Sequence, residues 1–317
     1  MEDYPKTILE LRDRFPDEQA CRQYLISIRW PAGFRCPECG GSDHWVTGRD
    51  LFHCRHCKRQ TSVTAGTLFM DTHLPLRLWF EAIWQVTSQK YGASALGLQR
   101  VLGLGSYRTA WTLLHKFRRA MVLPGRDRLK GLVEVDEIYI GGERKRRVRF
   151  ANKEVVLVAA EEQAPRKIGR IRLLRIEDRS SAELQKAVGE MIEPGSRVRT
   201  DDWQGYGKLN DLGYKHEPVH YTAWGSKNIL PSANRVASLL KRWLLGTHQG
   251  STDQAHLDYY LDEFTFRFNR RTSHSRGLLF YRLLCQAMTM EARPAKTLKG
   301  GRYNPYHKGL RSLESSA

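Results

Sequence analysis

Two cysteine knuckles, Cys36-Pro-Glu-Cys39-Gly and Cys54-Arg-His-Cys57-Lys, stand fourteen residues apart, and nothing else in the chain restricts its fold as tightly. Each C-x-x-C turn brings two thiolates to one cation, and Gly40 lets the backbone bend behind the first pair. The segment between them reads as a short hairpin, His44–Thr47 and Leu51–His53, that folds one pair onto the other. The separation lies just below the usual window for a zinc ribbon. Four thiolates close the coordination sphere of zinc, so Cys36, Cys39, Cys54 and Cys57 are expected to hold a structural ion with no open position for catalysis. The competing readings are free structural thiols, a redox C-x-x-C, or replacement of one cysteine ligand by His44, His53 or His56. Cys21 and Cys285 have no partner spacing and read as packed core residues.

The rest of the composition narrows the partners. Lys and Arg number 52 against 34 Asp and Glu, a net charge of +18, and so basic a surface attracts polyanions, with nucleic acid foremost. At 317 residues and 41% hydrophobic content the chain can fill two or three domain cores. Its longest apolar run, Val155–Ala160, is far shorter than the ~20 residues of a membrane helix. The acidic, proline-containing start has no apolar stretch like a signal peptide. Six cysteines without a disulfide-like framework fit a reducing compartment, so a cytoplasmic protein without membrane contact is expected.

Around the ribbon the periodicity is helical. Asp17–Trp30 reads as a helix capped by Asp17 with Ala20, Tyr24 and Ile28 on one stripe, placed to buttress the ribbon. Leu76–Ser88 is a second amphipathic helix. Ala93–Leu102, the turn Gly103-Leu-Gly105, and Ser106–Met121 follow as helix, glycine turn, helix, a helix-turn-helix-like pattern. Its second helix carries Arg108, Lys116, Arg118 and Arg119, the charge a DNA-contacting helix needs; the bland alternative is an ordinary helical hairpin with solvated basic residues.

From residue 132 the period changes to that of strands. Leu132–Gly141, Glu154–Ala160 and Arg170–Glu177 read as successive strands, Ser181–Met191 as a helix, and Arg197–Asp201 as a fourth strand. In the first, Val-Glu-Val-Asp136-Glu-Ile-Tyr, an acid stands mid-strand among apolar residues, where a charge is costly unless paired or bound to metal. Glu134 shares its strand face and Glu137 lies on the other; both are expected to be solvated or paired with the basic surface. A second carboxylate, Asp201, closes the fourth strand. Two carboxylates on neighbouring strands can bind Mg²⁺ or Mn²⁺, hard cations that take further ligands from phosphate. Ser232–Thr247 then reads as a helix on which Asn234 and Lys241, two turns apart, share one side.

The order of these motifs, with Val63-Thr-Ala-Gly-Thr-Leu68, Val133-Glu-Val-Asp-Glu-Ile-Tyr-Ile-Gly-Gly142, Thr200-Asp-Asp-Trp-Gln-Gly-Tyr206, Ser238-Leu-Leu-Lys-Arg242 and Tyr260-Leu-Asp-Glu-Phe-Thr-Phe-Arg-Phe-Asn-Arg-Arg271, resembles the zinc-ribbon group of bacterial insertion-sequence transposases over nearly the whole chain. The resemblance implies an α/β fold: an RNase H-like mixed sheet flanked by helices, with the N-terminal zinc ribbon and the helix-turn-helix-like region. It implies four segments: residues 1–70 (helix and ribbon), 71–128 (helical DNA-binding region), 129–290 (catalytic domain) and 291–317 (basic tail). The final motif, Tyr260–Arg271, is ambiguous by pattern, since Phe264, Phe266 and Phe268 alternate like a strand while Leu257, Leu261, Phe264 and Phe268 suit a helix; the resemblance favours the helix.

Carried over by position, the catalytic set is Asp136, Asp201, Asn234 and Lys241, with Asn234 where a strict DDE pattern has an acid. The resemblance implies structural zinc, catalytic Mg²⁺ or Mn²⁺ held by Asp136, Asp201 and Asn234, and cleavage and strand transfer at the terminal repeats of an insertion sequence. Glu263 is either a substitute ligand or a capping or salt-bridge residue, and His216, His220 and Tyr221 either line the site or are structural. The basic runs Arg144, Lys145, Arg146 and Arg147 with Arg149, and Arg166–Arg175, would track double-stranded DNA, the alternative being solvated hairpin edges. A homo-oligomer, at least a dimer on DNA, and a nucleoid-associated location follow from the same resemblance. The alternatives are a catalytically inactive DNA-binding regulator, which the substituted third acid favours, and a nuclease on the same scaffold that cuts without joining.

Overall fold

A computed structural model describes residues 3–122, 127–141, 153–164, 167–220, 229–248 and 254–290. The chain divides into two compact units, Met1–Met121 with Ser273–Lys299, and Val122–Thr272 with Gly300–Ala317. In the first, α1 (Ile8–Arg14) and α2 (Glu18–Arg29) precede three short strands, β1 (His44–Val46), β2 (Phe52–Cys54) and β3 (Gln60–Thr61). Helices α3 (Leu76–Ser88), α4 (Ala95–Leu102) and α5 (Tyr107–Ala120) follow. The second unit runs β4 (Leu132–Ile140), β5 (Glu154–Ala164), β6 (Lys167–Ile176), α6 (Ser181–Met191), β7 (Arg197–Asp201), β8 (Lys215–Val219), α7 (Pro231–His248) and α8 (Leu257–Asn269). Helix α9 (Arg276–Thr289) belongs to the first unit, whereas the sequence reading carries the catalytic domain on to residue 290.

In the first unit Asp17 caps α2 by accepting the Ala20 amide at 2.8 Å. The buried stripe of α2 is Cys21, Tyr24 and Leu25, one residue round from the expected Ala20, Tyr24 and Ile28, with Phe15 packed tilted and Phe80 edge-on against Tyr24. The end of α2 does support the ribbon: Ile26 and Trp30 pack against Phe34, Phe52 and the two buried cysteines. Cys21 is fully buried as expected, but Cys285 is only half-buried. Between α4 and α5, Gly103 adopts φ 63°, and the Leu104 amide reaches back to the Gln99 carbonyl at 3.0 Å, closing the helix end as a glycine cap does. Ser106 caps α5 through the Thr109 amide.

The second unit is an RNase H-like α/β layer. Its strands lie in the order β6-β5-β4-β7-β8. β4, β5 and β6 form an antiparallel meander, while β7 and β8 add in parallel on the other side of β4. Both faces are covered, so the central strands are apolar on both sides. Odd positions of β4, Val133 and Val135, pack with α6 residues Leu184, Val188 and Met191. Even positions Ile138 and Ile140 pack with α7 and α8 residues such as Val236, Leu240, Leu261 and Phe264. The region 257–269 is the helix α8, as the resemblance implied, because Leu257, Leu261, Phe264 and Phe268 form one buried stripe. Strand β8 had no clear signal, since Lys-His-Glu-Pro-Val is polar and half-exposed at the sheet edge.

Candidate active site and zinc site

The four knuckle cysteines converge. Their sulfur atoms all lie within 4.8 Å of one another, with Cys36 and Cys57 at 3.5 Å and Cys39 and Cys54 at 3.6 Å. Tetrahedral zinc with bonds of about 2.3 Å needs sulfurs roughly 3.8 Å apart, so the donor set fits that ion. The residue after each second cysteine turns in the left-handed region, Gly40 at φ 72° and Lys58 at φ 62°. The amides of Cys39 and then Glu38 pull the Cys36 thiol down to about 7. Against the Arg59 amide, desolvation and the neighbouring sulfurs push Cys57 up to about 12, so the crowded thiols give up their protons together only to a cation. The cluster of donor atoms holds the four cysteines and none of the candidate histidines; His44 Nδ1 contacts the Ser42 carbonyl and the His53 ring stacks on Trp45.

In the second unit, the alternation of β4 puts Glu134 and Asp136 on the face that α7 covers. β4 and β7 run parallel and pair as far as Glu134 and Arg199; Asp136 and Asp201 each lie two residues beyond that last pair, near enough for the charge of Asp201 to act on Asp136. Adjacent strands lie about 5 Å apart, so the two carboxyl groups face one another's field. Burial, then the charges of Glu137 and Asp201, raise the Asp136 carboxyl to about 6. Asp201 also accepts the Trp203 amide at 3.2 Å, which turns the chain away from the strand end.

Glu134 is neither solvated nor paired at the surface, as its sequence context suggested. It is 1% exposed, and one carboxylate oxygen accepts the amides of Ser232 at 2.7 Å and Ala233 at 3.0 Å, the opening turn of α7. Burial raises its carboxyl, against the opposing effect of those amides. Arg199 stands 3.9 Å away. Asn234 is the next residue of that turn and is half-buried; Lys241, two turns further, is exposed. A signal for this contact existed in the sequence. Leu230 before the helix offers no side-chain acceptor and the first turn has no acid, so its free amides needed an acceptor from another element.

On the opposite face Glu137 pairs with Arg179 at 2.9 Å and accepts the buried hydroxyl of Tyr206. The guanidinium of Arg179 lies over the Trp203 ring. Tyr206 closes the Thr200–Tyr206 motif, which assigns it no role, and Arg179 belongs to none of the motifs. His216 donates to or accepts from Thr200 Oγ1 at 2.9 Å, and burial lowers its pKa. His220 is exposed and contacts Asp202 at 2.8 Å. Glu263 is fully buried and bonded to Arg267 at 2.8 Å one turn along α8, a salt-bridge role in place of a ligand role. Tyr221 lies outside the described residues.

The basic residues of α5 separate into two groups. Arg108 is exposed and Lys116 half-buried; both line one cavity with Ser106, Thr109 and Thr112. The Lys116 ammonium sits over the Trp79 ring, and burial lowers its pKa. Arg118 and Arg119 correct the expectation of an open basic face. They are 2% and 6% exposed because α5 turns that side into the helical core beside Phe117 and Ala120. Arg144, Lys145, Arg146, Arg147 and Arg149 lie outside the described residues.

A family described as the transposase zinc-ribbon domain matches residues 16–60, and one described as the ISXO2-like transposase domain matches residues 128–269. The chain belongs to the zinc-ribbon insertion-sequence transposases. A protein of Halobacterium salinarum, described as an uncharacterized protein in transposable element ISH50, is 26% identical over 277 residues, covering 80% of this chain and 91% of its own. A solved simian T-cell lymphotropic virus intasome, in complex with a PP2A regulatory subunit, aligns at 13% identity and a TM-score of 0.32. That alignment covers 58% of this transposase and 65%, just under two thirds, of that chain, a likeness too low to bear on fold or function. No helix among the described residues of the transposase is long and apolar enough to cross a membrane.

Proposed function

We propose that this transposase binds the terminal repeats of its element and catalyses divalent-metal-dependent cleavage and strand transfer of double-stranded DNA, using Asp136, Asp201, Asn234 and Lys241. What supports this reading is that Asp136 and Asp201 lie on adjacent parallel strands, each two residues past the last pair of that register, and that β4 is bonded to the opening turn of the helix that bears Asn234. Two carboxylates and an amide oxygen form an all-oxygen donor set that suits Mg²⁺ or Mn²⁺, with positions left for water and phosphate oxygens. When bound, such cations supply a nucleophile at neutral pH and neutralise charge on the scissile phosphate. Burial first, and then the like charges of Glu137 and Asp201, raise the Asp136 carboxyl, and a bound cation would offset that repulsion.

The remaining roles fall to the chain's own side chains. Asp136 and Asp201 hold the in-line geometry at the scissile phosphodiester, Asn234 offers a neutral amide to the same site, and Lys241 holds a neighbouring phosphate as a point charge. Arg108 and Lys116 of α5 contact DNA phosphates, and Arg144, Lys145, Arg146 and Arg147 extend the basic track. Holding two ends for joining calls for at least a dimer on DNA, in the nucleoid. Asn234 in place of a third acid favours one second reading, a regulator that binds DNA without cutting it.

The test is incubation of the purified protein with labelled DNA from both flanks of its own gene, with Mg²⁺ or Mn²⁺. Discrete nicks that vanish in Asp136→Asn, followed by joined products, are expected. Tight, sequence-selective binding with no cleavage under either metal would replace this reading with the regulator, and nicks without joining would replace it with a nuclease.

A further inference from the structure

Glu134 is fully enclosed on the α7 face of the sheet, two residues before Asp136 on one strand. A buried carboxylate is expensive, and such groups persist where donors satisfy them. Here one oxygen takes both the Ser232 and the Ala233 amides, while Arg199 lies 3.9 Å from the other oxygen. Arg199 is itself shared, with Glu217 at 3.3 Å and Glu162 at 3.9 Å, so it belongs to no single carboxylate. Helix α7 therefore has its positive end clamped to the very strand that carries Asp136.

The geometry points to Glu134 as the positioning residue of the site: it clamps the opening turn of α7 to β4 and thereby sets Asn234 beside Asp136 and Asp201. This rests on the reading of those three residues as the metal-binding set. A neutral amide is a weak donor that cannot pull a cation towards itself by charge, so its contribution depends on being held in place, and a clamp one residue before it supplies that. Asn234 follows Ala233 directly, and Asp136 follows Glu134 by one strand repeat, so one pair of hydrogen bonds fixes helix and strand against each other.

The experiment loads the full-length protein with Fe²⁺ in place of Mg²⁺ and adds ascorbate and peroxide, so that hydroxyl radicals cut the backbone wherever it lies beside the bound iron. In the wild type, cuts are expected near residues 136, 201 and 234. Glu134→Gln keeps the volume and an acceptor oxygen while removing the charge, and Glu134→Ala removes the clamp. Zinc content and circular dichroism verify that each is folded. In both, the cut near 234 is expected to weaken while those near 136 and 201 persist, with kcat for DNA nicking down roughly 10- to 100-fold and KM for DNA unchanged. Either folded variant retaining all three cuts at wild-type strength, or losing them all together, would overturn the positioning role. Absence of cuts near 136 and 201 in the wild type itself would instead remove the metal site and, with it, the role assigned to Glu134.

Discussion

Tyr206 donates its buried hydroxyl to Glu137, the residue that follows Asp136 on β4. The loop after Asp201 is thus tied back to the strand carrying the other aspartate, on the face opposite α7, with Arg179 as the second partner of the same carboxylate. Tyr206→Phe leaves Glu137 with one fewer donor in a buried position, where a lost hydrogen bond to a charged group costs about 1–3 kcal/mol. Urea denaturation should show a loss of that size. Nicking should fall as well, because the loop that positions Asp201 loosens; an unchanged denaturation midpoint would mean the bond contributes nothing.

Asp136 makes a pH-dependent contribution with a definite sign. Its carboxyl is raised from 3.8 to about 6 in the folded chain, so the native state binds the proton more tightly than the unfolded state. Below the ordinary carboxylate value both states are protonated and there is no penalty; between the two values the penalty grows, and above about 6 it is complete. In Mg²⁺-free buffer at neutral pH, Asp136→Asn should therefore be more stable than wild type by on the order of 2 kcal/mol. The difference should vanish towards pH 3.5 and narrow on adding Mg²⁺. Thermal melts across pH 3.5–8 measure it, and a gap that widens on acidification would contradict the assignment.

The two knuckles differ at one equivalent position. Gly40 and Lys58 both take the left-handed conformation, but only glycine does so without strain. Lys58→Gly should stabilise the zinc-loaded ribbon by up to about 1 kcal/mol, and Gly40→Ala should destabilise it by a similar amount. Competition with a chromophoric zinc chelator reads both. The sidechain of Lys58 is exposed, so loss of its charge should not confuse the comparison.

How legible this transposase was depends on where each signal resides. The knuckles, α3, α6, α7, and strands β4, β5 and β7 follow from spacing and period, which are local properties. Asp136 stood out because a charge interrupted an apolar strand. Glu134 sat two residues away with the same signal and was read as a surface charge, since its partners lie about a hundred residues downstream and only the fold brings them together. Strand β8 and the Tyr206–Glu137 bond escaped for the same reason. Arg118 and Arg119 were misplaced by the opposite error: four basic residues on one helix look like a single face, but packing of Ala110, Leu114, Phe117 and Ala120 turns the later two inward.

That division of α5 gives the last prediction. Arg108 is exposed at the start of the helix, whereas Arg118 is buried and lies 3.4 Å from His115 Nε2. If Arg108 contacts a phosphate, Arg108→Ala should weaken binding to all DNA sequences alike and reduce the slope of log affinity against log salt by about one. Its melting temperature should stay at the wild-type value. Arg118→Ala should do the reverse: removing a buried cation and its packing costs about 2–4 kcal/mol of stability, while the salt slope of the protein that remains folded is unchanged. Filter binding from 50 to 200 mM salt, paired with thermal melts, separates the two effects. A salt slope that drops for Arg118→Ala, without loss of stability, would show that the C-terminal half of α5 faces DNA after all.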